Sequence, residues 1–273
     1  MNFLLEPLTY QFMQRGLLAS VIVGVLCAVM GTYVVLRGLA FLGDAMAHAI
    51  LPGVAVAYLF GGNLLVGAGV AAIIVALSIG LFSRQGDVKE DTAIGIMFAA
   101  ALSLGVALIS SMQTYAVDLS HILFGNVLGV SSSDLWMIAG LSFAILLTVG
   151  LLFKPFLVIS FDPVLAATLR LPAELLRNLM LVLLALTVVV SLQTVGVSLA
   201  AAMLVTPAAT AYLLTRRLLP MMLVSALIGA LSSTIGLYLS YYLNIVSGSS
   251  IVLTATLFFL LAFLWKRVRG TQP

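Results

Sequence analysis

Charged residues are scarce in this chain: Asp, Glu, Lys and Arg make up 8% of its 273 residues, whereas hydrophobic residues make up 63%. An ordinary soluble domain carries about 25% charged residues. This scarcity excludes a water-soluble globular protein and indicates an integral membrane protein. The basic residues lie at the ends of hydrophobic runs and form no dense patch, so we expect no nucleic-acid partner.

Several motifs of enzymes are missing from the sequence. The single cysteine, Cys27, lies in a hydrophobic run, which excludes a disulfide framework and a thiolate metal site within the chain. There is no G-x-x-x-x-G-K-S/T phosphate loop and no Gly-Lys dipeptide, so the chain cannot hydrolyse ATP alone. The absence of a G-x-S-x-G elbow argues against an intramembrane hydrolase. We expect no enzymatic activity and no intrinsic cofactor.

What the sequence does contain is a series of hydrophobic stretches, each long enough to cross a hydrocarbon layer of about 30 Å. A polar interruption at 193–197 forms either a tight turn, which we favour, or a re-entrant bend, so the count is eight or nine. The sequence therefore predicts an all-α, polytopic transmembrane helical bundle, with residues 1–273 forming a single domain. The stretches cover residues 16–36, 42–60, 64–82, 92–110, 135–153, 178–195, 198–215, 219–243 and 248–265.

Basic residues indicate the orientation of the bundle. With nine spans, nearly all the basic residues fall in loops on one side, which the positive-inside rule assigns to the cytoplasm. One of these loops, residues 154–177, contains Phe161-Asp162-Pro163, an N-cap residue followed by proline at the first helical position. It predicts a short helix at the inner membrane surface, and a simple connector is the alternative. The basic residues of this side are Arg37, Arg84, Lys89, Lys154, Arg170, Arg177, Arg216, Arg217, Lys266, Arg267 and Arg269.

Asp44 and His48 are the only Asp, Glu, Lys, Arg or His residues inside the nine predicted spans. A charged carboxylate at the bilayer centre costs about 2.5–3.5 kcal/mol on insertion scales, so it normally faces a partner or a cavity. The spacing of four residues places both side chains on one helical face. Pro52 has no N–H to donate to the His48 carbonyl, so we expect a kink that leaves this oxygen free.

A carboxylate oxygen and an imidazole nitrogen form a ligand pair that suits zinc, manganese or ferrous iron. The residues alone leave two alternatives open: a buried hydrogen bond that only holds neighbouring helices, and a proton relay. Two ligands do not complete a metal shell. Uncharged candidates for the remaining donors, which the sequence cannot place, are Gln193, Thr206 and Asn126.

A second acid–imidazole pair, Asp118 and His121, lies in the predicted outer loop between residues 111 and 134. These two residues either receive and guide the cation on the outer face or form a solvated loop pair.

Five stretches carry further information: residues 38–53 (GLAFLGDAMAHAILPG), 89–96 (KEDTAIGI), 118–126 (DLSHILFGN), 160–163 (SFDP) and 204–211 (LVTPAATA). In this order they resemble the membrane permeases of the ATP-binding-cassette importers that take up zinc, manganese and iron in bacteria. The resemblance covers nearly the whole chain. The segment around His121 is more similar to the manganese and iron branch than to the zinc branch.

The resemblance implies that Asp44 and His48 bind a divalent transition-metal cation, with manganese favoured, in the translocation path of an ATP-driven importer. It also implies partners: a separate ATPase subunit, an extracytoplasmic metal-binding protein that delivers the cation, and a second copy of this chain. The chain is then expected to cross the bilayer of the bacterial inner membrane several times.

The resemblance further implies that the short inner helix is the coupling helix that docks on the ATPase subunit. The residues concerned are Asp162, Pro163, Leu169 and Arg170. Arg170 departs from the family pattern, in which a glycine is common near the end of this helix.

A secondary, gradient-driven carrier of divalent cations is the alternative function. Such carriers usually place ionisable residues on several helices, whereas here they lie on one.

Overall fold

The computed structural model describes residues 6–83, 88–111, 127–161 and 163–270, and within these ranges all regular structure is helical. Eight described helical stretches are long and apolar enough to cross a membrane, with Leu42–Leu59 counted as one stretch, and Leu199–Leu214 is a shorter apolar helix. The expected all-α bundle with eight or nine spans is therefore confirmed. The helices are α1 (Gln11–Leu36), α2 (Leu42–Ala49), α3 (Leu51–Leu59), α4 (Leu64–Phe82), α5 (Glu90–Ser110), α6 (Ser132–Leu151), α7 (Phe153–Phe161), α8 (Pro163–Thr168), α9 (Ala173–Val195), α10 (Val197–Leu214), α11 (Leu218–Leu243) and α12 (Ser247–Gly270).

Local sequence signals set several helix boundaries. Asn63 accepts hydrogen bonds from two backbone N–H groups at the start of α4, and Ser131 and Asp134 form a capping box at the start of α6. At the end of α1, Gly38 adopts a left-handed φ of 70° and the Leu39 N–H donates to the Val34 carbonyl. Because glycine adopts this conformation without steric cost, α1 ends there and the chain turns directly into α2.

The second span is broken at Ile50, between α2 and α3, with Pro52 in the first turn of α3. The predicted interruption near Pro52 is therefore present. The Ile50 N–H points towards the His48 carbonyl, but at a φ of −80° and a ψ of −16° this contact between residues two apart is too bent to be a hydrogen bond. That the His48 carbonyl is free stays a prediction.

The polar interruption at 193–197 also corresponds to a break in the structure. Only Gly196, with a φ of 78° and a ψ of 172°, separates α9 from α10. An L-amino acid with a side chain is strained at this φ, so glycine permits the change of direction here.

Helix α1 lies at the centre of the bundle, where it packs against α10 and α11. Small residues make this packing close. A Cβ added at Gly24 would collide with the backbone of Gly229 on α11, and one at Gly31 would collide with the Leu204 carbonyl on α10. Close approach through glycine is a common way for helices to associate in a membrane, because it increases van der Waals contact.

The loop that was predicted to contain one short helix contains two. Helix α8 begins at Pro163, as the proline signal predicts, and α7 precedes it. Helix α7 is anchored in the core by Phe156, which is fully buried and packs edge-to-face on Tyr33 of α1, with ring centroids 5.9 Å apart. The inner segment, defined here as α7 together with residues 163–170, is therefore packed through α7 on the central helix.

Candidate metal site

Asp44 and His48 lie one turn apart on α2. The side chain of Asp44 is 45% exposed and that of His48 is 30% exposed. The three residues between them, Ala45, Met46 and Ala47, are buried in the core. The two polar side chains therefore share the face of α2 that the described part of this chain leaves uncovered.

The backbone of α2 holds the His48 ring in one orientation. Its Nδ1 lies 2.9 Å from the Asp44 carbonyl oxygen. A carbonyl oxygen only accepts hydrogen bonds, so Nδ1 carries the proton and donates it. In the neutral ring, Nε2 then keeps its lone pair, which is the form in which imidazole binds a metal.

The Asp44 carboxylate forms no hydrogen bond with the imidazole of His48. Its Oδ1 lies 3.7 Å from His48 Nδ1, which is longer than a hydrogen bond. The geometry therefore differs from a hydrogen-bonded Asp–His pair that holds neighbouring helices, because the ring nitrogen bonds within its own helix. A carboxylate and an imidazole lone pair on one exposed face can bind the same cation.

An aromatic residue that sequence reasoning missed packs against the pair. Phe98 of α5 contacts the His48 ring edge-to-face, with centroids 5.8 Å apart and an interplanar angle of 87°. It contacts Phe41 in the same way at 5.4 Å. Phe98 is distant from α2 in the sequence and stands among other apolar residues, so no pattern in the sequence distinguishes it.

Within the described ranges, the structure assembles no complete coordination shell around the pair. Over the described ranges, no group of three or more His, Cys, Asp or Glu residues could hold a metal ion. Of the uncharged candidates, Thr206 lies on α10, where its carbonyl accepts the Thr210 hydroxyl. The side chain of Gln193 and all of Asn126 lie outside what the structure describes. The pair thus supplies a partial site.

Some of the other predicted residues lie outside the described ranges: Asp118 and His121 of the outer loop, and Asp162 of the inner loop. The backbone of Pro163 begins α8, and Leu169 is exposed just after that helix.

Arg170 ends the inner segment in an unusual backbone conformation. Its φ is 52°, in the left-handed region, and the following Leu171 N–H donates to the Ala166 carbonyl at 3.0 Å. This is the same helix ending that Gly38 forms after α1, and it normally requires glycine. The structure thus places Arg170 in this conformation at a steric cost.

The chain is similar to known membrane transport proteins over nearly its whole length. The model of the ABC 3 transport family matches residues 9–266. The manganese transport system membrane protein MntC of Halalkalibacterium halodurans is 46% identical over 97% of this chain and 91% of its own length. A probable iron transport system membrane protein of Haemophilus influenzae is 40% identical over 98% of both chains.

A solved structure, PsaBC from Streptococcus pneumoniae in complex with Fab, has the same fold. It superposes with a TM-score of 0.84 at 41% identity and covers 95% of this chain and 94% of its own.

The family match covers nearly the whole chain, and the helices have the length and apolar composition of membrane spans. Transport by this family is driven by ATP, so the gradient-driven alternative is not supported. The chain therefore belongs to the ABC 3 transport family, the multi-pass inner-membrane permease subunits of bacterial ATP-binding-cassette metal importers, in which a separate subunit hydrolyses ATP.

Proposed function

We propose that this permease imports a divalent transition-metal cation and that Asp44 and His48 bind the cation during its passage. The observation that carries the proposal is their geometry: a carboxylate not hydrogen-bonded to the imidazole and an imidazole with a free Nε2 lie on one uncovered face of α2. Both groups are donors that first-row divalent metals accept.

Manganese is the favoured cargo over iron and zinc. The relative from Halalkalibacterium halodurans is named for manganese and the one from Haemophilus influenzae for iron. Manganese usually takes about six donors, many of them oxygen, so it requires ligands beyond Asp44 and His48. The cation is the transported cargo, and we propose no intrinsic cofactor.

A second copy of the chain completes the path. An apolar groove of about 730 Å³ between α3, α4 and α5 begins at Ala49 and Pro52, one and four residues after His48 in the sequence. A carboxylate that faced lipid at Asp44 would be costly. A homodimer that covers the exposed face of Asp44 and His48 with a second α2 removes the cost and brings further donors to the cation.

Other subunits supply direction and energy. An extracytoplasmic binding protein delivers the cation to the outer loop, where Asp118 and His121 receive it. A separate ATPase subunit docks on the inner segment, with Asp162, Pro163, Leu169 and Arg170 at the contact. The side chains of Phe161, Leu165 and Leu169 are exposed at intervals of four residues on this segment. Such an apolar series suits a protein groove.

Metal-resolved uptake in cells that express the chain with its ATPase and binding protein tests the proposal. Asp44→Asn removes the charge and His48→Ala removes the Nε2 donor. Each variant should lower manganese uptake by more than about tenfold. Loss of a residue that only supports a metal ligand already costs about tenfold, and Asp44 and His48 are proposed as ligands themselves.

Asp91→Asn is the matched control, because Asp91 is an exposed carboxylate at the start of α5, and it should transport normally. Parallel assays with iron and zinc rank the three metals. Wild-type uptake by both site variants, at equal amounts in the membrane, would exclude Asp44 and His48 as the transport site.

A further inference from the structure

An ion pair lies at the end of the bundle that the basic residues assign to the cytoplasm. Arg37, directly after α1, donates from Nη2 to Glu90 Oε2 at 2.6 Å. The two side chains are only 14% and 18% exposed. Glu90 is the first residue of α5, where a negative charge is favoured by the helix dipole. The pair therefore ties the turn between α1 and α2 to the beginning of α5.

A second arginine lies beside this pair. Arg177 of α9 donates from Nη2 to the Gly80 carbonyl at 2.9 Å and from Nη1 to the Ser83 carbonyl at 3.3 Å, at the end of α4. Burial lowers the pKa of the Arg37 guanidinium, Glu90 raises it in part, and the charge of Arg177 lowers it again. The two guanidiniums are thus close enough to repel each other, and Glu90 is the carboxylate that is bonded to Arg37.

The hydrogen bonding of this group is incomplete. Among the described residues, Arg37 Nη1, Glu90 Oε1 and Arg177 Nε are buried and have no hydrogen-bond partner. Arg37 and Arg177 also line a cavity of about 190 Å³, together with Glu174 and with Ile159 of α7. A purely structural ion pair in a protein interior is usually fully bonded. This one keeps spare donors, a spare acceptor and room to rearrange.

The ion pair connects the parts of the molecule that have to move together. Arg37 precedes Asp44 by seven residues, whereas Glu90 begins the helix that carries Phe98, the residue packed on His48. Ile159, in the wall of the cavity, belongs to α7 of the inner segment. The Arg37–Glu90 pair thus lies between the inner segment and two helices: α2, which carries the metal-binding side chains, and α5, which carries Phe98.

We propose that Arg37 and Glu90 are positioning residues for transport, whose ion pair holds α2 against α5 and transmits displacement of the inner segment to Asp44 and His48. This inference rests on the proposed function. When the inner segment moves, the cavity beside Ile159 changes shape and Glu90 exchanges Arg37 for Arg177. The start of α2 is then released from α5 and the bound cation is released inward.

A charge exchange in the complete complex with its ATPase subunit tests this inference. The variants are Glu90→Gln, Arg37→Gln and the double variant Arg37→Glu/Glu90→Arg, with Asp91→Asn in the same turn of α5 as the control.

Three quantities are measured in proteoliposomes: manganese bound without ATP, ATP hydrolysis, and manganese transported per ATP. Both single variants should bind manganese and hydrolyse ATP, yet transport about tenfold less manganese per ATP, a typical size for a lost coupling between sites.

The double variant should recover most of the transport per ATP, because it restores the attraction in reverse. Unchanged transport per ATP in Glu90→Gln, or a double variant no better than the single ones, would overturn the inference. Where Arg37→Gln does not fold, Arg37→Lys with Glu90→Gln provides the same comparison.

A metal-independent measurement separates this inference from the proposed function. Spin labels at Ala40→Cys, directly before α2, and at Ile96→Cys on α5, both exposed positions, report the separation of the start of α2 from α5 in a Cys27→Ala background. ATP should change this distance in the wild type and not in Glu90→Gln. If the wild-type complex binds no manganese, the proposed function fails, and the distance change still decides whether Arg37 and Glu90 transmit movement. An equal distance change in both proteins contradicts the inference.

Discussion

At the scale of single residues, Phe98 determines the orientation of the candidate ligand His48. Its edge-to-face contact at 5.8 Å and the bond from Nδ1 to the Asp44 carbonyl together fix the imidazole plane. We expect Phe98→Ala to weaken manganese binding by about tenfold, the effect typical of an outer partner that orients a metal ligand. Equilibrium binding of radioactive manganese to the purified permease measures this change.

Two comparison variants make the Phe98 result specific. Phe98→Leu keeps apolar volume beside the ring and should recover part of the affinity. Phe143→Ala removes an exposed aromatic ring on α6 and should not alter affinity. Equal affinities in Phe98→Ala and the wild type would show that the helix backbone alone orients His48.

Arg170 offers a second prediction at this scale. A residue other than glycine in the left-handed region carries strain of order 1–3 kcal/mol, and Arg170 has a φ of 52°. Arg170→Gly should therefore raise the melting temperature of the permease in detergent, whereas Arg170→Ala keeps the strain and should not. If Arg170 also contacts the ATPase subunit, Arg170→Gly and Arg170→Ala should weaken assembly equally, because both remove the same side chain. A lower melting temperature for Arg170→Gly would contradict the strain argument.

At the scale of helices, the contact between α1 and α10 depends on the absence of a side chain at Gly31. A Cβ there would meet the Leu204 carbonyl, which is backbone and cannot rotate away. Gly31→Ala should lower the free energy of unfolding by about 1–3 kcal/mol through overpacking, seen as an earlier thermal transition in detergent.

Gly140 of α6 is the matched control for Gly31. A Cβ at this position meets no atom within 4 Å. Gly140→Ala should stabilise its helix by about 0.5–1 kcal/mol, because alanine loses less backbone entropy than glycine on folding. Equal melting temperatures for the two alanine variants would show that α1 and α10 separate readily at this crossing.

At the scale of the whole molecule, the uncovered face of α2 predicts where two copies meet. Phe41 is 44% exposed and lies three residues before Asp44, on the same helical face. Phe41→Cys in a Cys27→Ala background should therefore form a dimer with a short bifunctional thiol reagent in native membranes. Trp136→Cys is the control, because Trp136 is strongly exposed on α6. Cross-linking at Trp136 and not at Phe41 would place the dimer contact elsewhere.

The features that depend on local composition and spacing are predictable from the amino-acid sequence. Apolar runs long enough to cross a bilayer predicted the spans, because burial of such runs in lipid hardly depends on what they pack against. Likewise, four residues between Asp44 and His48 place them on one face of any helix, and proline at 163 begins a helix wherever the chain lies. The family, too, was evident from short motifs in order.

Which distant residues meet depends on how the helices pack and is visible in the structure alone. Phe98 reaches His48, and Arg37 reaches Glu90, because helices far apart in the sequence pack side by side. The exposure of Asp44 and His48 likewise depends on which face of α2 the other helices cover. Hydropathy contains no information on such contacts, since nearly every candidate neighbour in this chain is equally apolar.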